Sequence, residues 1–283
     1  MTKRARPLSA GTRFGLAVFA SIILLVFLGP FFWTIAPDFL DIRTRNQAPS
    51  LAHPLGTDQL GRDLLSRLMA GGQLSVFVGL SAMALSIALG CIIGVLAGYV
   101  RWLDGALMRL TDLFLSLPML PLLLVIMMLF RDALNAMFGA STGIFILVVA
   151  AIGLTSWMPT ARVLRGAVLS LRSADFILAA QTTGTRPIKI ITRHILPNCA
   201  SPIIVSATLG IANAIITESA LSYLGLGFPP DFASWGRLLN DATPFLREAP
   251  SRVIWPGLAI SLTVLSVQYI GEGLRDAADK RNH

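Results

Sequence analysis

Charge is scarce in this sequence. Only 13% of its 283 residues are Asp, Glu, Lys or Arg, against roughly 25% in soluble globular domains, so the chain is not built to face water on every side. Cysteine is rarer still. Cys91 and Cys199 are too few and too far apart for a disulfide framework or a zinc site, and they read as small packing residues. The histidines, His53, His194 and His283, are equally scattered and form no cluster with the cysteines. No G-x-x-x-x-G-K-[ST] phosphate loop and no H-E-x-x-H pair occur, so neither ATP binding by that loop nor zinc-protease chemistry has a foothold. The expectation is a chain with no catalytic residue and no bound cofactor or metal. Energised work would then draw on an ion gradient or on a partner.

What the sequence holds in abundance is apolar runs. Hydrophobic residues make up 54% of the chain and the mean hydropathy is +0.71. The excess of Lys and Arg, 23 against 15 acids, therefore points to basic loops of a membrane protein rather than to nucleic acid. A helix needs about 20 mostly apolar residues to cross the hydrocarbon, and six segments approach that: 14–35, 75–100, 113–130, 144–158, 202–224 and 254–274. Pro118 and Pro121 kink the third, and the fourth is short and ends at Pro159. The expected fold is an all-α membrane protein with six transmembrane helices. Residues 1–74 would hold an N-terminal tail, an uncleaved first span and an external loop; residues 75–283 would hold a core of five spans. With the N-terminus inside, 15 of the 23 Lys and Arg fall on the inner side and 8 on the outer, where Asp38, Asp41, Asp58 and Asp63 offset them. The positive-inside rule then places both termini in the cytoplasm.

Small residues recur at steps of four in two spans: Ala82, Ser86, Gly90, Gly94 and Gly98, then Ser206, Gly210, Ala214, Glu218 and Ser222. Such stripes share one helix face and let membrane helices approach closely. Glu218 lies in line with the packed face, with Asn213 and Thr217 beside it. An intramembrane carboxylate costs about 2.5–3.5 kcal/mol on insertion scales, so these three residues are candidates either for the solute pathway or for packing. A secondary, ion-coupled transporter would need such an acid near the midplane and inverted repeats; Glu218 is the one clear acid, and the two halves show no repeat.

One segment breaks the pattern. Leu178–Asn198, "LAAQTTGTRPIKIITRHILPN", is basic and punctuated between two spans. Gly184 permits a sharp bend, Thr185 is a candidate N-cap, and Pro187 suits a first helical turn. Ile188, Ile191 and Ile195 recur at helical spacing, giving an apolar stripe. Pro197 would end the helix before the fifth span.

This segment resembles the signature loop of the inner-membrane permease subunits of bacterial ABC importers: E-A-A, three residues, Gly, nine residues, then I-x-L-P. Ala179 and Ala180 match the alanines, Gly184 the glycine, and Leu196 and Pro197 the ending, while Leu178 replaces the glutamate and His194 the isoleucine. "RHILPN" is similar to the ending found in the peptide and nickel branch. "HPLGTDQLGRDLLSRLMAGGQLSVFVGL" from His53, "ESALSYLGLGFPP" from Glu218, and "PGLAISLTVLSVQYIGEGLRDAADKR" from Pro256 resemble the dipeptide and oligopeptide permeases of the C-subunit type. The resemblance covers most of the chain from His53 onward. It implies a permease importing short peptides or a similar solute across the bacterial inner membrane. Its partners would be a second, homologous permease, two cytoplasmic ATPase subunits that use ATP and Mg, an extracytoplasmic solute-binding protein and membrane lipid, with no nucleic acid. It also implies a short cytoplasmic coupling helix between the fourth and fifth spans that docks on an ATPase, with Ala179, Ala180, Gly184, Thr185, Arg186, Lys189, Arg193, His194, Leu196 and Pro197 in the coupling loop.

Overall fold

The computed structural model describes residues 9–279; Lys3, Arg4, Arg6, Lys280, Arg281 and His283 lie outside the described residues. Among the described residues the chain is helical, and β pairing is confined to a single bridge between Thr57 and Asp63. Among the described residues five helices are long and apolar enough to cross a membrane, and a bent pair makes a sixth span.

The first span is α1 (Ala10–Phe32), started by Ser9, whose side chain accepts from Thr12 N. The second, α2 (Leu64–Tyr99), begins eleven residues before the hydropathy run and contains the 74/75 boundary drawn from sequence. Asp63 caps it by accepting from Ser66 N at 2.8 Å, which fixes its start. The expected third span divides at Leu117–Pro118. Proline disfavours helix in the residue before it, so α3 (Arg101–Ser116) ends there and α4 (Met119–Phe138) makes the crossing alone. The fourth span also differs. It runs as α5 (Ala140–Thr155) and α6 (Met158–Arg172), bent by 42° at Ser156–Trp157. Pro159 opens the second piece instead of ending the first, because a first turn has no use for its missing N–H. Arg162, Arg165 and Arg172 therefore ride on a helix.

Beyond it come three short helices, α7 (Asp175–Thr182), α8 (Pro187–Ile190) and α9 (Leu196–Asn198). The fifth span α10 (Ala200–Tyr223), the short α11 (Trp235–Ala242) and the last span α12 (Ser251–Asp279) follow.

Glycine contacts set the directions. A Cβ on Gly90, Gly94 or Gly98 of α2 would strike Thr160, Ala161 and Leu164, or Val168 in turn, so α2 runs parallel to α6. Gly79 meets Ile215 and Gly210 meets Met83, so α10 runs antiparallel to α2. Gly11 and Gly15 of α1 meet Tyr269 and Ser266 of α12, again antiparallel. The spans alternate in direction. The start of α1, the end of α2, α3, the end of α6, the segment 173–199 and the end of α12 gather at one end of the bundle; residues 33–63 and 224–250 gather at the other. The small-residue stripe on α2 is buried along its length against α5 and α6, as close packing in lipid requires.

Candidate functional site

Two features stand out: the segment after α6, and a hollow beside the bend between α5 and α6. The segment begins with α7, which ends in a Schellman arrangement. Gly184 N donates to Gln181 O at 3.0 Å and Thr185 N to Ala180 O at 3.1 Å, with Gly184 at φ +76°. That dihedral belongs to the left-handed region that glycine enters at no steric cost. Nothing lies within 4 Å of a Cβ placed there, so the glycine is needed for its backbone and not for a close approach within this chain. The N-cap position of α8 is Arg186, not Thr185, whose hydroxyl instead lies 3.4 Å from that of Thr183.

Residues Ile191–Ile195 form a π-type turn in which Leu196 N donates to Ile191 O, five residues back. Pro197 cannot donate, and its ring would crowd the preceding turn; widening relieves both. The wider turn aligns residues five apart. Ile190 and Ile195 therefore point inward together and pack with Val95, Leu164, Val168, Ile177 and Cys199, while Ile188 is 65% exposed. The stripe of Ile188, Ile191 and Ile195 expected from sequence is split: Ile191 packs half-buried against the same cluster as Ile195, and Ile188 alone turns outward. Pro197 sits within the turn Leu196–Asn198, and the chain breaks at Cys199 before α10.

What this segment offers outward is mixed. Phe176, Leu178 and Ile188 expose apolar surface beside exposed Ala179, Arg186, Lys189 and Arg193. Leu178, at the signature's glutamate position, is 47% exposed and makes the start of the segment more apolar. His194 is half-buried, its ring 6.4 Å from that of Phe176. The segment is tied back through α6. Arg165 makes a two-pronged contact with Asp104 of α3, its Nη2 at 2.8 Å from Oδ2. Arg172 donates to Gly98 O at 3.3 Å. The hydrogen bond from Arg165 holds the Asp104 carboxyl below the usual carboxylate range.

The hollow, about 400 Å³, lies between α2, α4, the α5–α6 bend and α10. Asn213 and Thr217 line it, together with Thr155, Ser156 and Thr160. Glu218 does not. It is fully buried on the neighbouring face of α10, where Ser75 donates to Oε2 at 2.8 Å and Ser222 to Oε1 at 2.7 Å. Trp235 N in turn donates to Ser75 Oγ at 3.3 Å, so the carboxyl clasps α2, α10 and α11. The structure thus brings Asn213 and Thr217 together at the hollow and encloses Glu218 between serines on the packed face.

At the opposite end of the bundle lies a network that the hydropathy reading passed over. Arg62 Nε donates to Asp58 at 2.6 Å, and Arg67 and Arg237 reach Asp241 at 3.5 and 2.9 Å. Asp63, besides capping α2, accepts from Trp33 Nε1 at 3.0 Å and pairs with His53 Nδ1 at 2.8 Å. Arg67 is only 2% exposed. The available signal was the run of alternating charge "TDQLGRDLLSR" flanking an apolar stretch; the pairing of Arg67 with Asp241, 174 residues away, was not legible. Among the described residues no cluster of His, Cys, Asp or Glu is suited to hold a metal.

Residues 86–283 match the family described as binding-protein-dependent transport system inner membrane component. A protein of Brucella suis described as a peptide permease is 39% identical over 271 residues, covering 95% of this chain and 86% of the relative. The dipeptide transport system permease protein of Alkalihalophilus pseudofirmus is 37% identical over 268 residues, covering 94% and 84%. Among solved structures, an inward-facing MetNI methionine ABC transporter shares the fold at TM-score 0.58 and 18% identity, over 75% of this chain and 95% of that one. The chain therefore belongs to the family of binding-protein-dependent transport system inner membrane components.

Proposed function

We propose that this chain is the permease subunit of an ATP-driven importer of short peptides or a chemically similar solute, in the bacterial inner membrane with both termini cytoplasmic. The observation that carries the coupling role is the segment 175–198. It is an ordered, outward-facing patch of apolar and basic residues, held by α6 and placed at the same end as the basic start of α1. Among the described residues that end carries ten of the eighteen Lys and Arg, and an inner face is the more basic one. Two ATPase subunits would grip this patch and its counterpart on a second, homologous permease, and a solute-binding protein would deliver cargo at the opposite end. ATP and Mg would be used by the ATPase subunits; this chain, lacking a phosphate loop, would hydrolyse none. Asn213 and Thr217 would face the solute. The names of the relatives support peptides as cargo, and the burial of Glu218 away from the hollow counts against an ion-coupled carrier.

The test is reconstitution in vesicles. The complete complex should take up labelled di- or tripeptides only with ATP on the ATPase side, and this chain alone should show neither uptake nor hydrolysis. Uptake by the isolated chain driven by a proton gradient would replace the importer with a secondary transporter.

A further inference from the structure

The hollow has an unusual wall. Fifteen residues line it and none is charged. Three of the chain's nine methionines, Met83, Met119 and Met158, converge there from different helices. Met83 lies over Gly210 so closely that a Cβ at Gly210 would overlap its sulfur; the glycine makes the room that the thioether fills. The polar groups are equally particular. Thr155 and Thr217 donate their protons to their own helices, to Ala151 O at 2.6 Å and Asn213 O at 2.8 Å. Their oxygens keep lone pairs that can still accept a hydrogen bond. Asn213 adds an exposed amide, able to donate and accept, with no partner among the described residues.

We propose that this hollow is a solute-contact site that takes uncharged, amide-bearing stretches of a solute and adapts to their side chains instead of reading them. The proposal rests on the importer reading and narrows its solute. Three physical points support it. The amide of Asn213, which has no partner among the described residues, would go unsatisfied against lipid, whereas a solvated pathway satisfies it. A charged group meeting this wall finds no countercharge, and charge in a membrane interior is costly without one. Methionine is unbranched and polarisable, and methionine-rich surfaces repack around dissimilar partners. A volume of about 400 Å³ suits a short peptide segment, since small-molecule sites commonly span about 300–1,000 Å³. Selection among peptides would then fall to the delivering protein, and this wall would disfavour only the charged groups that come into contact with it.

The experiment uses the whole complex in vesicles, with Cys91→Ala and Cys199→Ala removing the native thiols and Asn213→Cys supplying a new one. Neutral, cationic and anionic methanethiosulfonates of similar size are added from the water. Each rate is divided by that reagent's rate with a free thiol. All three reagents should react. The neutral one should be faster than either charged one by about tenfold, with the two charged rates within about threefold of each other. Thr217→Cys gives a second position should Asn213→Cys fail to assemble. An unreactive thiol at both positions would show that the hollow is sealed. Equal rates for neutral and charged reagents, or a tenfold preference for one sign, would show that neutrality does not govern the site; any of these results overturns the proposal. Labelling requires no knowledge of the cargo, so such a failure is distinct from failure of the importer reading, which ATP-driven uptake measures separately.

Discussion

Gly94→Ala is expected to loosen the seam between α2 and α6. The added Cβ would stand 2.6 Å from Ala161 O and 2.8 Å from Leu164 Cβ. A backbone oxygen cannot swing aside. Restoring ordinary contact near 3.4 Å requires the helices to part by about 0.8 Å along that line. Gly90 and Gly98 lie one turn to either side, and their Cβ positions are already 2.7 Å from Thr160 and Val168. The seam therefore opens at three points or at none. A gap of that size forfeits about a quarter to a half of each dispersion contact, and overpacking of this kind costs about 1–3 kcal/mol. Replacing a helical glycine by alanine returns about 0.8–1 kcal/mol, so the net loss should be up to about 2 kcal/mol. Gly166→Ala, on the same α6 with nothing within 4 Å of its Cβ, is the matched control and should show the gain alone. Thermal unfolding in detergent, followed by the reaction of a thiol dye with buried Cys199, reads both variants. If Gly94→Ala melts at or above the temperature of Gly166→Ala, the glycine seam is not a packing constraint and the reasoning fails.

Glu218→Leu strands the hydroxyls of Ser75 and Ser222. The cost should lie between the ~0.6 kcal/mol typical of a membrane hydrogen bond and about 3 kcal/mol for each stranded group. Glu218→Gln keeps an acceptor oxygen and should lose less; equal losses in the same melt would rule out the hydroxyl clasp. Gly184→Val should lower ATPase stimulation in the reconstituted complex while Gly184→Asn largely preserves it, because asparagine visits positive φ and valine strongly resists it. Equal activity of the two would remove the backbone argument. Lys189→Ala should change little, an exposed charge being worth about 0–1 kcal/mol; a collapse of stimulation would make it a specific contact. Asp104→Asn tests the tie between α3 and α6. The Arg165 hydrogen bond lowers the Asp104 carboxyl, so its stabilising contribution is present above the ordinary carboxylate range and is lost as pH falls through the lowered value. The stability gap between parent and variant should shrink on acidification, and a gap that widens would contradict the assignment.

Much of the architecture was legible because its causes are local. A span is a run of about 20 apolar residues, and that property needs no knowledge of neighbours, so six crossings and their basic end could be read directly. The glycine stripe on α2 was readable for the same reason, since a period of four marks one helix face whatever lies opposite. The motif around Gly184 announced a bend, and φ +76° is what its glycine supplies. Other features depended on what each residue meets. Arg67 looks like a boundary charge, yet it is buried because Asp58 and the distant Asp241 face it, which lets α2 begin at Leu64. Glu218 and Asn213 are near neighbours on one helix, and only packing decides that serines enclose the first while the second opens on the hollow. The isoleucine stripe is split because the π turn before Pro197 rotates Ile195 inward, a change of winding that a fixed helical period cannot anticipate. The hollow itself belongs to no segment: four stretches of chain must meet before Met83, Met119 and Met158 share a wall, and contacts between residues distant in sequence exist only in the folded bundle.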